Sequence, residues 1–267
     1  MRSDFTGKVV WITGASSGIG EALAHNLAAR GARLVLSSRN AEQLRQVALQ
    51  LPIKPQDYLI LPLDLERYNN LHSLPGQVID KFGQIDILIN NGGISQRSYF
   101  KDTSLQVFKK IMDVNFLGTV ALTKVVLPHM VARKSGSVIA VSSVTGKYGT
   151  PLRTAYSASK HALHGFFDAL RAENYQHNLH VMLVCPGYVK TRISFNALLG
   201  DGSPQNCMDP GQESGLSPET CARAIVKGIA SQKREIYTGG LKEVGGVYIK
   251  RFFPGLFARL VKNVNVR

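Results

Sequence analysis

The chain has 267 residues, 44% of them hydrophobic, enough to bury the core of a single α/β domain, and 32 Lys and Arg against 18 Asp and Glu give a formal charge of +14. The basic residues are dispersed without a run of five, which speaks against a nucleic-acid footprint and leaves a phosphorylated small molecule or an anionic membrane surface as partners of the right charge. Cys185, Cys207 and Cys221 have neither an even count nor CxxC spacing, so neither a disulfide framework nor a zinc cluster is indicated, and a reducing, cytoplasmic setting is expected. Residues Met1 to Lys8 carry no signal-type apolar run and nothing approaches about 18 consecutive apolar residues, so neither secretion nor a spanning helix is expected.

In chain order, β-rich runs recur at Val9 to Thr13, Leu34 to Ser37, Leu59 to Leu63, Ile85 to Ile89, Val138 to Val141, Val181 to Val184 and Glu235 to Thr238. Segments of helical periodicity, such as Ile19 to Arg30 and Ala41 to Leu51, lie between them. This alternation predicts an α/β fold: a Rossmann-type, doubly wound parallel sheet of about seven strands with helices on both faces, spanning residues 1–267 as one domain. Ligands of such sheets bind beyond the carboxyl ends of the strands. Asn196 to Ser217 is rich in Gly, Pro and small polar residues and reads as a mobile loop or lid within a lid region of about 190–216.

The first strand runs into Thr13-Gly14-Ala15-Ser16-Ser17-Gly18-Ile19-Gly20, and Glu21 opens an amphipathic helix. Glycines permit the tight turn and a close backbone approach, so a pyrophosphate can rest on amides at a helix N-terminus. Alone the pattern is often only a turn; between a strand and a helix it points to a dinucleotide. The second strand ends Ser37-Ser38-Arg39, with no acid for the ribose hydroxyls of NAD. Arg39, 25 positions after Gly14, offers a planar fork to a 2′-phosphate and favours NADP(H), the alternative being an ordinary surface arginine.

Tyr156 and Lys160 lie four residues apart, one helical turn on the same face. A phenol ionises near a pH of about 10, and an ammonium within hydrogen-bonding range lowers that value, which suits Tyr156 to acid-base work near neutrality. A surface i,i+4 pair would look the same. His161 and His164 follow at i,i+3, but no third ligand of useful spacing accompanies them, so helix packing or solvent contact is expected and no metal.

With Gly14, Gly18 and Gly20, then Asn90-Asn91-Gly92-Gly93, then Ser143, Tyr156 and Lys160, the chain resembles the short-chain dehydrogenase/reductase family over nearly its whole length. Ser143 precedes Tyr156 by 13 residues, the family's usual spacing, and Asn115 in Asp113-Val114-Asn115 matches its helix asparagine. Asp64, in Leu63-Asp64-Leu65, matches the position that contacts adenine, and Pro186-Gly187 with Val189 and Thr191 resembles the nicotinamide-side motif. The resemblance implies an NADP(H)-dependent oxidoreductase in which Tyr156 donates a proton to a carbonyl oxygen as hydride arrives from the nicotinamide, or accepts one when an alcohol is oxidised. It further implies that Ser143 holds that oxygen, Lys160 grips the nicotinamide ribose and favours tyrosinate, and Asn115 holds a water linking Lys160 to solvent. Gly14, Ser16, Ser17, Gly18, Ile19, Gly20, Arg39, Asp64, Leu65, Asn91, Gly92, Tyr156, Lys160, Pro186, Gly187, Val189 and Thr191 are the implied cofactor contacts, and a homodimer or homotetramer the implied assembly.

Gly92 departs from the family's alanine and predicts a slightly looser turn. Structural alternatives stand beside several roles: Asp64 and Thr191 as helix caps, Asn90 as a partner for buried backbone, Ser142 as support for the strand end. A non-catalytic NADPH-binding sensor or scaffold is the alternative function, although it has no chemical need for Ser143, Tyr156 and Lys160 together.

The substrate is expected among Ile94 to Phe100, the residues from Ser143 to Leu152, and the lid from Tyr188. Tyr99, Phe100, Tyr148, Tyr188, Ile193 and Phe195 predict an apolar pocket for a lipophilic ketone or alcohol. Arg97 and Arg153 are as well accounted for by contact with water, so no acid-specific pocket is expected. From Tyr248 to Lys262 aromatics mix with cations, a pattern that fits peripheral membrane contact but also packing of Phe252, Phe253, Phe257 and Leu260 on the body or a partner subunit, the reading preferred here. With the lid, this ending resembles one branch of the family, whose members often carry an N-terminal membrane anchor not seen in this sequence.

Overall fold

A computed structural model describes residues 5–262 and residue 264; Met1 to Asp4, and residues 263 and 265–267 of the aromatic C-terminal segment, lie outside the described residues. The strands are β1 (Val9–Thr13), β2 (Arg33–Ser37), β3 (Tyr58–Ile60), β4 (Ile87–Asn90), β5 (Gly136–Val141), β6 (Leu179–Pro186) and β7 (Glu235–Thr238). They form one sheet in the order β3-β2-β1-β4-β5-β6-β7, and all its pairings are parallel. The register aligns Val9 with Arg33 and Thr13 with Ser37 on one side of β1, and Val10 with Ile87 on the other.

Around the sheet lie α1 (Gly18–Ala28), α2 (Ala41–Leu49), α3 (Leu74–Phe82), α4 (Leu105–Met112), α5 (Gly118–Arg133), α6 (Thr154–Glu173), the short α7 (Pro210–Glu213), α8 (Pro218–Ala230), α9 (Leu241–Phe252) and α10 (Pro254–Val261). Successive side chains of a strand point to opposite faces. Val10, Ile12, Leu34 and Leu36 accordingly meet Leu23 and Leu27 of α1, Leu44 of α2 and Ile225 of α8. Val9, Trp11, Val35 and Leu88 meet Val78 of α3, Val126 of α5 and Phe167 of α6 on the other face. A sheet covered on both sides needs apolar residues at every position, which is why its central strands read as unbroken Val, Ile and Leu runs rather than alternating ones.

The helical run Leu105–Arg133, interrupted by a π-helical turn at Asp113–Leu117, is long and apolar enough to cross a bilayer, a property the expectation of no spanning helix missed. Half of its most apolar stretch is buried in the fold, with Leu122, Val126 and Met130 against the sheet. Of the four tail residues expected to pack, Phe257 does so, its ring 5.1 Å from that of Tyr148, whereas Phe252 and Phe253 are exposed and Leu260 is half-exposed.

The backbone approaches closely where α1 follows β1. A methyl at Gly20 would sit 2.1 Å from the Gly14 carbonyl oxygen, so any side chain there displaces the loop backbone. Gly20→Ala is expected to lower stability by about 1–3 kcal/mol, the cost of overpacking a filled site. Gly76→Ala in α3, where nothing lies within 4 Å of the added methyl, is expected to raise stability by roughly 0.5–1 kcal/mol through reduced backbone entropy. Urea denaturation of the two variants measures the contrast, and equal effects would contradict the packing described here.

Candidate active site

The strand order turns back on itself between β1 and β4, and a cleft opens there at the carboxyl ends of the strands. A cavity of about 890 Å³ runs along it from Arg39 to Tyr156 and on to α10. Gly14, Ser16, Ser17, Gly18 and Ile19 line its first stretch. Gly14 and Gly18 adopt φ values of +66° and +58°, a left-handed backbone that glycine tolerates, and a methyl at Gly18 would meet Thr191 Cγ2 at 2.9 Å. Ser17, the residue before α1, makes no side-chain capping bond, so the first amides of the helix remain for a ligand. Gly20 does not line the cavity; it is the contact that lets the loop lie flat on α1.

Arg39 is exposed at the cavity edge and forms no ion pair with the described residues. Asp64 and Leu65 also line the cavity, and Asp64 Oδ1 accepts from the Glu66 amide at 3.0 Å, shaping a turn rather than capping a regular helix. Asn91 holds the glycine loop from β4: its amide donates to Thr13 Oγ1 at 3.0 Å and its Nδ2 to the Thr13 carbonyl at 3.0 Å. The predicted looser turn at Gly92 is not found, because a methyl there would lie 2.8 Å from Leu65 Cδ1; the leucine side chain takes the room an alanine would need. Asn90 Nδ2 donates to Thr123 Oγ1 at 3.1 Å, and Ser142 Oγ donates to the Lys160 carbonyl at 3.1 Å, both inside the fold.

Pro186 closes β6, and Gly187, Val189 and Thr191 follow along the cavity wall. No helix begins at Thr191; its hydroxyl accepts from Gln212 Nε2 at 3.3 Å, and the same amide bonds the Val189 carbonyl. Gln212 thus anchors the segment expected to flank the nicotinamide, a partner that sequence reading missed because it lies 21 positions away.

Ser143, Tyr156 and Lys160 come together at the far end of the cleft. Ser143 follows β5, and its Oγ accepts from the Thr145 amide at 3.2 Å, donates to the Pro186 carbonyl at 3.4 Å and acts to lower the pKa of the Tyr156 phenol. The Lys160 ammonium donates to the Val141 carbonyl at 2.8 Å and lies 5.7 Å from the centre of the Tyr156 ring. Burial raises the Tyr156 phenol above its ordinary value, and the groups that draw it back down are Arg153, then Ser143, then Arg97. Besides Lys160, the expected cation, two arginines that sequence reading did not assign to this phenol thus act on it. Lys160 is itself pushed down to about 8 by burial.

Asn115 does not line the cavity. Set in the π-helical turn, its Oδ1 accepts from the Ile94 amide at 2.8 Å while its Nδ2 donates to the Ile94 carbonyl at 2.9 Å and to Ser159 Oγ at 3.0 Å. Its side chain fastens the loop after β4 to α6, which places Gly93 near Lys160.

The arginines overturn a second expectation. Arg97 is 1% exposed and Arg153 7%, so neither faces water. Arg97 donates from Nε to Asp209 Oδ2 at 2.7 Å, pairs with the same oxygen through Nη2, and donates to Ser95 Oγ at 2.8 Å. Arg153 Nη2 lies 3.5 Å from that oxygen. Asp209 belongs to the segment read as a mobile loop or lid; besides this ion cluster, the Arg97 and Leu198 amides bond Leu198 and Ser95 carbonyls across the two loops at 2.9 Å each. Tyr148, Tyr188 and Ile193 line the cavity as expected, whereas Tyr99 and Phe100 are 58% and 69% exposed outside it and Phe195 lies off the wall beneath Arg192.

His161 bonds the Ser157 carbonyl, and His164 turns to Ser142 Oγ at 3.1 Å, with Cys185 and Glu235 nearby. Lys147 Nζ already holds Glu235 at 2.7 Å, which gives that cluster a resident cation.

A family model described as short chain dehydrogenase matches residues 8–198. The chain is 42% identical over 261 residues to a dehydrogenase/reductase SDR family protein 7-like of Anopheles gambiae, covering 96% of this chain and 82% of that protein. It is 40% identical over 267 residues to dehydrogenase/reductase SDR family member 7B of Bos taurus, covering 98% and 82%. Its fold matches a short chain dehydrogenase/reductase from Burkholderia phymatum, solved in complex with NAD, with a TM-score of 0.83 at 22% identity over 98% of this chain and 99% of the other.

Burying the Lys160 ammonium costs stability, and the pH at which it does so is fixed by the direction of its shift. The unfolded chain holds the lysine proton up to a pH of 10.5 and the folded chain only to about 8, so between those values the unfolded state binds more protons and stability rises with pH. Lys160→Met is expected to raise the urea midpoint of the nucleotide-free protein below a pH of about 8, with the gain fading toward 10.5. A midpoint lowered at pH 7 would contradict the placement of this side chain.

Proposed function

The chain belongs to the short-chain dehydrogenase family, and from that membership we propose that it is an NADP(H)-dependent oxidoreductase interconverting a carbonyl and an alcohol, with Tyr156 as general acid and base. The observation that carries this reading is the single cavity, with the glycine loop and Arg39 at one end and Ser143 and Tyr156 at the other. The cleft fits a dinucleotide on its own terms: left-handed glycines leave room for close approach, uncapped amides open α1, and a guanidinium without an ion pair among the described residues waits where a 2′-phosphate would lie.

In this reading Ser16, Ser17, Gly18 and Ile19 hold the pyrophosphate and Arg39 the 2′-phosphate. Asp64 and Leu65 take the adenine side, and Asn91, Gly92, Pro186, Gly187, Val189 and Thr191 border the nicotinamide half. The bound nicotinamide supplies or accepts the hydride. Ser143 orients the substrate oxygen, and Tyr156 gives that oxygen a proton or removes one from it. Lys160, two hydrogen-bond donors beyond its Val141 contact, holds the ribose. Arg153 and Arg97 favour the tyrosinate that forms when the proton leaves. Ile94, Tyr148, Tyr188, Ile193, Leu198 and Phe257 give the substrate end an apolar wall, which supports a lipophilic carbonyl compound.

Two measurements test this. Tyr156→Phe, assayed by nicotinamide absorbance against a panel of ketones, aldehydes and alcohols, is expected to bind NADPH within about twofold of wild type while turnover falls roughly 100-fold or more. Unchanged turnover would remove Tyr156 from the chemistry, and NADPH binding without any turnover by wild type would favour a sensor. Arg39→Ala is expected to weaken NADPH about 10- to 100-fold, the loss of a charge-assisted pair, and to leave NADH nearly unaffected. Equal weakening of both nucleotides would contradict the assignment of Arg39.

A further inference from the structure

We propose that Arg153 is an anion-binding residue in the substrate end of the cavity, and that the substrate is an oxo acid or hydroxy acid whose carboxylate it receives. The inference rests on the reading of this cavity as a carbonyl-reducing site and narrows its substrate class.

Arg153 is more than nine-tenths buried and lines the cavity with Arg97, Ser143 and Tyr156. Its Nε and Nη2 are buried without a hydrogen-bond partner among the described residues. The carboxylate beside it is already engaged: Asp209 Oδ2 receives Nε and Nη2 of Arg97, and its Oδ1 accepts from Gln205 Nε2 at 2.9 Å. Nη2 of Arg153 approaches Oδ2 only to 3.5 Å. Two guanidiniums therefore share one carboxylate, leaving one positive charge in excess within this cluster. The ring of Tyr188 lies 5.4 Å from the guanidinium carbon of Arg153, a contact that braces the group without neutralising it.

A buried charge without a matching partner is costly, and a side chain that keeps two donors idle in a cavity wall is placed for an anion. The idle atoms, Nε and Nη2, form one edge of the guanidinium fork, which matches the two oxygens of a carboxylate; that edge is closed to solvent, so the side chain must turn toward the cavity to receive the anion. One excess charge calls for a monoanion. Arg153 precedes Tyr156 by three residues at the start of α6, so the anion site and the proton donor lie about one turn apart on the same helix. That spacing suits a carbonyl only a few bonds from the acid group, with the apolar remainder against Tyr188 and Leu198.

The test uses the full chain with benzoylformate and methyl benzoylformate as NADPH-consuming substrates. In parallel, benzoate and benzamide are compared as stabilisers against thermal unfolding, with and without NADP. Wild type is expected to favour the acid over the ester in kcat/KM by about 10- to 100-fold relative to Arg153→Met, the worth of a charge-assisted pair, and to be protected by benzoate and not by benzamide. Arg153→Met also removes a charge that favours the tyrosinate, so turnover on both compounds should fall, but that on the acid by the larger factor, with benzoate protection lost; Arg153→Lys should recover part of that protection. An acid-to-ester ratio unchanged in Arg153→Met, or benzoate protection undiminished by that substitution, overturns the subsite. Should Arg153→Met fail to fold, wild type alone decides: protection by benzamide equal to that by benzoate overturns the proposal. Should wild type reduce neither compound, the oxidoreductase reading is in question while benzoate protection and its dependence on Arg153 still judge the anion site.

Discussion

Every feature of the site depends on one constraint of the sheet: seven parallel strands end on the same side, and their order reverses between β1 and β4. Parallel pairing sends each chain segment out at the same edge, and the reversal leaves that edge uncovered. Gly14 follows β1, Arg39 follows β2, Asn91 follows β4, Ser143 follows β5 and Gly187 follows β6, so residues up to 173 positions apart border one cleft. Even the last strand contributes, since Gly239 after β7 abuts Gly187 closely enough that a methyl on either would lie 3.1 Å from the other's backbone.

Within that frame the site keeps charges where packing alone would not. Lys160 and the Arg97, Arg153 and Asp209 cluster are buried, and a buried charge is tolerated only with good partners or a function that needs it. Arg97 has its partners. Lys160 has one carbonyl, and Arg153 has a distant share of an occupied carboxylate. The under-partnered cations lie on either side of Tyr156 along α6, three residues before it and four after. This gathers the destabilising charge of the fold around the group proposed to exchange a proton.

Most of the architecture was legible in the sequence because local pattern dictates it. All seven strands were read within a few residues of their ends, since runs such as Val9 to Thr13 have no polar face to confuse with a helix. The glycine loop and the triad of Ser143, Tyr156 and Lys160 were legible because their spacing is local or nearly so. What stayed hidden depends on pairing at long range. The burial of Arg97 follows from Asp209, 112 positions later in a segment whose composition reads as loose. The bond that Lys160 makes to the Val141 carbonyl is to backbone, which leaves no mark on composition. Tyr99 and Phe100 looked like pocket residues because aromatic character does not reveal which way a loop turns. The role of α10 as a cavity wall escaped notice for a related reason: its charged and aromatic residues alternate too closely to show which face is covered.

The most direct measurement of the central claim is a crystal structure of the chain with NADP bound. The account predicts the 2′-phosphate against Arg39, the pyrophosphate on the amides of Ser17 to Ile19, and the nicotinamide between Gly187 and Tyr156 with its ribose on Lys160. A nucleotide seated elsewhere on the molecule, or one lying in the cleft with its nicotinamide turned away from Tyr156, would contradict it.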